Sequence, residues 1–155
     1  MVDWSVPLAD VIVDEGDLEA IVATYRSGWL SMGPRIEEFE HAFAEYLGVR
    51  HAVAVSSGTA ALHLICLASG LGPGDEVIVP SMTFVATVNA VRYTGATPVF
   101  ADVAGTLEPW LSAETCEAVV GPRTRAILYV AYGGHAGDLA GVADLAKRHG
   151  VTLLQ

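Results

Sequence analysis

Lysine occurs once in this sequence, at Lys147, and the eight basic residues face eighteen acids. A formal charge of −10 leaves no positive stripe to hold a phosphate backbone, which argues against nucleic acid as a partner. Cysteine is scarce as well. Cys66 and Cys116 lie far apart, without metal-ligand or redox spacing, so no metal site is expected and a reducing cytoplasm is. Cys66 falls in an apolar helical stretch, where a thiol packs as a small hydrophobe. Charged residues make up 17% of the chain, and between Ala52 and Gly74 there are none. That run could suggest a membrane span. The break at Ser56-Ser57-Gly58-Thr59 and the glycines at 70, 72 and 74 divide it into pieces shorter than the roughly 20 residues a span needs, so a soluble protein is expected. The N-terminus has neither the basic region nor the apolar core of a signal peptide. Gly-x-Gly-x-x-Gly and Gly-Lys-Ser/Thr are also absent, so dinucleotide and P-loop readings fail.

What the chain does have is apolar surface in excess. Hydrophobic residues account for 52% of 155 residues. A chain of this length is about one domain, and the surplus predicts that part of its surface is covered by more chain or by another subunit.

The hydrophobic pattern gives the architecture. A helix is expected from Asp14 to Ser27, capped by Asp14, with Leu18, Ile21, Val22 and Tyr25 at helical spacing. Trp29 follows in a loop, where a hydrophobic plug is the plain reading. Pro34 to Gly48 reads as a second helix with Ile36, Phe39, Phe43 and Leu47 as its stripe. From Ala52 onward strands and helices alternate. Strands are expected at Ala52–Ser56, Glu76–Pro80, Pro98–Val103, Arg125–Ala131 and Val151–Leu154. Helices are expected at Thr59–Ser69, Thr83–Tyr93, Ser112–Val120 and Asp138–His149, the first of them apolar on nearly all sides and therefore buried. This is an α/β pattern in three layers, a largely parallel sheet with helices on both faces. In such a sheet the carboxyl ends of all strands meet at one edge, where ligands bind. Ser56-Ser57-Gly58-Thr59, Ser81-Met82-Thr83-Phe84 and Gly133-Gly134-His135 are the turns expected there. The first opens a helix, whose N-terminal amides and peptide dipoles favour an anion.

Several blocks carry a resemblance. Ser27-Gly28-Trp29-Leu30 with Gly33-Pro34, Phe39-Glu40 and Phe43-Ala44-Glu45-Tyr46-Leu47-Gly48 form one, and Val53-Ala54-Val55-Ser56-Ser57-Gly58-Thr59-Ala60-Ala61-Leu62-His63-Leu64 another. Gly72-Pro73-Gly74-Asp75-Glu76-Val77-Ile78-Val79-Pro80, Thr83-Phe84-Val85-Ala86-Thr87, Asn89-Ala90 and Pro98-Val99-Phe100-Ala101-Asp102-Val103 complete it. Together they resemble the DegT-type nucleotide-sugar aminotransferases, fold type I enzymes that depend on pyridoxal 5′-phosphate (PLP). The resemblance implies a large α/β domain followed by a smaller one, a homodimer, an amino-acid donor such as glutamate and a keto-sugar nucleotide as acceptor. It implies that Gly58, Thr59 and Ala60 hold the PLP phosphate and that Phe84 stacks on the pyridine ring. Trp29 and His135 are expected near the substrate, Trp29 on the looser match.

The sequence also departs from the family pattern. Ala131 stands where the family usually has histidine, and Ala136 where it usually has proline, which leaves the identity of the substrate open. Transamination needs a lysine that bonds to the cofactor and moves the proton, and an acid that keeps the pyridine nitrogen protonated. Lys147, beside Arg148 on a polar helix flank, reads as a solvated charge, so no catalytic residue is assigned within the chain. Residues 1–50 are expected to be an N-terminal segment with two helices and 51–155 the N-terminal portion of the PLP-binding large domain. The missing lysine and aspartate are expected beyond Gln155, which would make the chain an inactive piece of an enzyme. The alternatives are a sugar dehydratase of the same family, with histidine in place of the lysine, and a truncated, non-catalytic cofactor-binding or subunit-pairing module.

Overall fold

The structure is a computed structural model that describes residues 11–155. The described residues divide into two compact units, residues 11–54 and 55–155.

The first unit contains α1 (Glu15–Ser27) and α2 (Pro34–Leu47). Asp14 and Asp17 form a reciprocal capping box at the start of α1, and Gly28 closes it in the left-handed conformation. Pro34 opens α2 at a position where its missing N–H costs nothing, and Gly48 ends it. The apolar stripe of α1 is not covered by described residues: Ile21 is 67% and Tyr25 73% exposed.

The second unit contains α3 (Gly58–Ala68), β1 (Glu76–Pro80), α4 (Val85–Tyr93), β2 (Thr97–Ala101), α5 (Ala113–Glu117), β3 (Thr124–Leu128), α6 (Leu139–His149) and β4 (Thr152–Leu154). The four strands are parallel in the order β2-β1-β3-β4. Side chains alternate between the faces, as a pleated strand requires. Val77, Val79, Ala126 and Leu128 pack with Cys66, Ala90 and Val91 of α3 and α4. Ile78, Ile127 and Leu153 pack with Cys116, Val142, Leu145 and Ala146 of α5 and α6. Moving from β1 to β2 uses one face, and moving back to β3 and β4 uses the other, as right-handed crossovers demand. Both cysteines are free and buried, one on each face. Burial pushes the Cys66 thiol up. Burial, with the Asp138 charge adding to it and a Thr115 hydrogen bond opposing it, pushes Cys116 up to about 11. No helix among the described residues is long and apolar enough to cross a membrane.

Three expectations need correction. Residues 52–56 form no strand, because no neighbouring strand hydrogen-bonds to them. The Ala54 amide donates instead to Glu40 Oε1 at 2.7 Å. The apolar helix α3 is buried on one face only: Cys66 is fully covered, while Leu64 and Leu67 are 49% and 48% exposed. The expected helix 112–120 is shorter, with Ser112 and Thr115 capping a five-residue α5 and turns following at Ala118 and Val119. Smaller shifts occur at the ends of β2 and β3.

Candidate functional site

The topology fixes which loops share an edge. β1 runs directly into α4, so Ser81–Phe84 lie at the carboxyl edge of the sheet. α3 ends a few residues before β1 begins. Eleven helical residues and five extended ones both span about 16 Å, so the N-terminus of α3 reaches the same edge. The loops after β2 and β3 complete it, adding Asp102 and residues 129–138.

At the start of α3, Ser57 is an extended N-cap whose Oγ accepts the Ala60 amide at 3.2 Å, and its carbonyl accepts the Ala61 amide at 3.0 Å. Of the orphan amides of the first turn, those of Gly58 and Thr59 have no acceptor among the described residues, and neither does the Thr59 hydroxyl. A Cβ built at Gly58 meets nothing within 4 Å. This is an open cradle at the positive end of an eleven-residue helix, suited to a dianionic phosphate. Ala60 serves the cap itself, since Ser57 already holds its amide.

Phe84 is the N-cap of α4 and is 76% exposed, so its ring lies outside the core. The neighbouring hydroxyls are ordered: Ser81 Oγ donates to Asp102 Oδ1 at 3.1 Å, and the Thr83 and Thr87 hydroxyls pair at 2.8 Å. The same Asp102 oxygen takes the Val103 amide at 2.9 Å.

His135 is exposed in the loop after β3. A single 3-10 turn, Tyr132–Gly134, folds that loop. Its ring lies 6.0 Å from that of Trp110, with the planes at 37°. Sequence reading missed Trp110.

Trp29 belongs to the first unit. Its Nε1 donates to the Met32 carbonyl at 2.7 Å, and its ring covers Gly33 so closely that a Cβ there would overlap it. It lines a cavity of about 470 Å³ with Thr24, Ser27, Met32 and Arg35. Lys147 is exposed in the last turn of α6, which leads into the start of β4 and so lies at the opposite edge of the sheet.

The chain is 43% identical over 153 residues to the spore coat polysaccharide biosynthesis protein SpsC of Bacillus subtilis, covering 98% of this chain and 38% of that protein. It is 41% identical over 150 residues to the UDP-4-amino-4-deoxy-L-arabinose–oxoglutarate aminotransferase of Shewanella sediminis, covering 96% of this chain and again 38% of the relative. DesV of S. venezuelae, solved in complex with a ketimine intermediate, superposes with a TM-score of 0.83 at 44% identity, over 87% of this chain and 36% of its own. The chain thus spans well under half the length of these relatives. Residues 11–155 match the sequence profile of the DegT/DnrJ/EryC1/StrS aminotransferase family, and the chain belongs to that family.

Proposed function

We propose that this chain supplies the phosphate cradle and ring-stacking face of a PLP-dependent aminotransferase that moves an amino group from an amino-acid donor, glutamate, to a keto-sugar nucleotide in amino-sugar biosynthesis. The observation that carries the reading is the start of α3, where two amides and a hydroxyl are left without partners beside open space and at the same sheet edge as an exposed Phe84. The residues fit the group. PLP supplies, when bound, the electron sink that allows an amine to be passed between two carbon skeletons. Gly58 and Thr59 hold the phosphate with backbone N–H groups and the Thr59 hydroxyl, and the α3 dipole offsets the negative charge of the protein locally. Phe84 offers a flat apolar face that excludes water from one side of the ring. His135, as an imidazole at the same edge, binds substrate. Trp29, already committed to Met32, serves its loop and has the weaker claim to a substrate role.

The lysine and acid that the chemistry needs are not assigned to these residues, because Lys147 stands at the other edge of the sheet. In this reading residues 1–50 are an N-terminal segment, 51–155 are the first part of the PLP-binding domain, and the working enzyme is a cytoplasmic homodimer. The family relatives named for sugar and polysaccharide biosynthesis support the substrate class.

The test is a PLP titration of the purified protein, followed by borohydride reduction and mapping of the adduct. PLP binding that inorganic phosphate displaces is expected, without a stoichiometric adduct at Lys147. A stoichiometric Lys147 adduct, or binding indifferent to phosphate, would overturn the assignment.

A further inference from the structure

We propose that Trp110 is a positioning residue for substrate binding, holding His135 at the carboxyl edge so that its imidazole meets the diphosphate of the nucleotide. This rests on the reading of that edge as the substrate site and adds the device that orders it.

The loop that carries His135 has reason to be mobile. Gly133, Gly134 and Gly137 all have positive φ, and the 3-10 turn is short. Three contacts hold it. Tyr129, only 2% exposed, donates its hydroxyl hydrogen to the Ala136 carbonyl at 2.7 Å. Burial and, secondarily, the Asp138 charge push the Tyr129 hydroxyl pKa up, and the Asp138 backbone opposes the rise. Asp138 Oδ2 accepts the Ala113 amide at 2.8 Å, tying the loop to the first turn of α5. Asp138 makes no side-chain cap on its own helix, so that carboxylate is used for the link between segments.

The third contact is Trp110. Its indole covers Gly137, where a Cβ would overlap the ring, and its centroid lies 6.0 Å from that of His135. Gly137 has φ +54, so two independent constraints, backbone angle and close approach, select glycine there. The loop is thereby pinned at His135 and at the three residues that follow it. Indole and imidazole at this separation and tilt make a weakly attractive aromatic pair. Trp110 fixes the ring without itself needing to touch the ligand.

The experiment is NMR of the purified protein carrying ring-labelled histidine, with the His135 signal among five histidines assigned by His135→Gln. In the unmodified protein the His135 ring resonances should show indole shielding and should move on titration with UDP. Trp110→Leu should lose the shielding and weaken UDP by roughly tenfold, the loss of one ordered charged hydrogen bond. Trp110→Phe should restore much of both, which a general loss of fold would not do. PLP affinity should be the same in all three proteins, because the cradle lies on the α3 side. A His135 signal that ignores UDP in the unmodified protein, or equal UDP affinity in Trp110→Leu, overturns the proposal. If PLP still binds at the α3 turn in those cases, the cofactor reading stands on its own. If PLP fails as well, that reading falls with it.

Discussion

At the amino edge of the sheet, several charged side chains pair with one another. Arg123 Nε donates to Glu76 Oε1 at 3.0 Å, Arg125 lies 3.8 Å from Asp75, and Arg148 and His149 close on Glu117 at 3.0 and 2.9 Å. The basic last turn of α6 also meets the negative end of its own dipole. At the carboxyl edge no ion pair occurs among the described residues. Its groups are hydroxyls, backbone amides, the Asp102 and Asp138 carboxylates, each already accepting hydrogen bonds, one imidazole and exposed rings, and the Gly58 and Thr59 amides lack acceptors among the described residues. One edge is largely self-paired. The other keeps donors open to solvent or to a ligand, and that difference supports the proposed reading of it as a binding edge more directly than net charge does. A chain at −10 can hold an anion because the donors are local and aimed.

The sharpest way to break this contrast is to fill the open space. Gly58→Leu adds a side chain where a Cβ meets nothing, so the melting temperature should hold while PLP affinity falls on the order of a hundredfold, as two amides lose a charged acceptor. Gly58 is not among the glycines with positive φ, so the harm comes from occupancy and not from backbone strain. Calorimetric melting beside a PLP titration checks both halves. A large drop in melting temperature would make Gly58 a structural residue.

A smaller effect is expected from Thr59→Val, which keeps the shape and removes one hydroxyl. Loss of a hydrogen bond to a charged group costs about 1.5–3 kcal/mol, seen as weaker PLP binding with unchanged stability. If affinity does not change, the phosphate is held by the amides alone or sits elsewhere.

Much of this edge was legible in the sequence, and the failures have identifiable causes. Glu76–Pro80 was read to the residue because a β-branched run between Gly74-Asp75 and Ser81 admits little else. The α3 turn was legible because Ser57 and Gly58 combine a cap with a helix start. Residues 52–56 look the same locally, yet a strand exists only where a second strand pairs with it, and that is not a local property. The burial of α3 was overstated because an apolar helix with no periodic stripe does not say which face is covered. Trp110 was missed because its partners, Gly137 and His135, lie more than twenty residues away and no spacing rule connects them.

The smallest expected effect tests the other side of the comparison. Glu117→Gln removes the charge that holds both Arg148 and His149, each in a pair open to solvent. Such pairs contribute at most about 1 kcal/mol, and in about 1 M salt the difference from the unmodified protein should shrink further. Its distance from the carboxyl edge is roughly the length of a five-residue strand, about 16 Å, or twice the screening length of about 8 Å in physiological salt. PLP affinity should therefore be unchanged within error, while chemical denaturation shows a slightly earlier midpoint. Denaturation at two salt concentrations and one PLP titration decide the matter. Were Glu117→Gln to weaken PLP as strongly as Thr59→Val, the two edges would be coupled through the sheet, and the amino edge could no longer be read as structural alone.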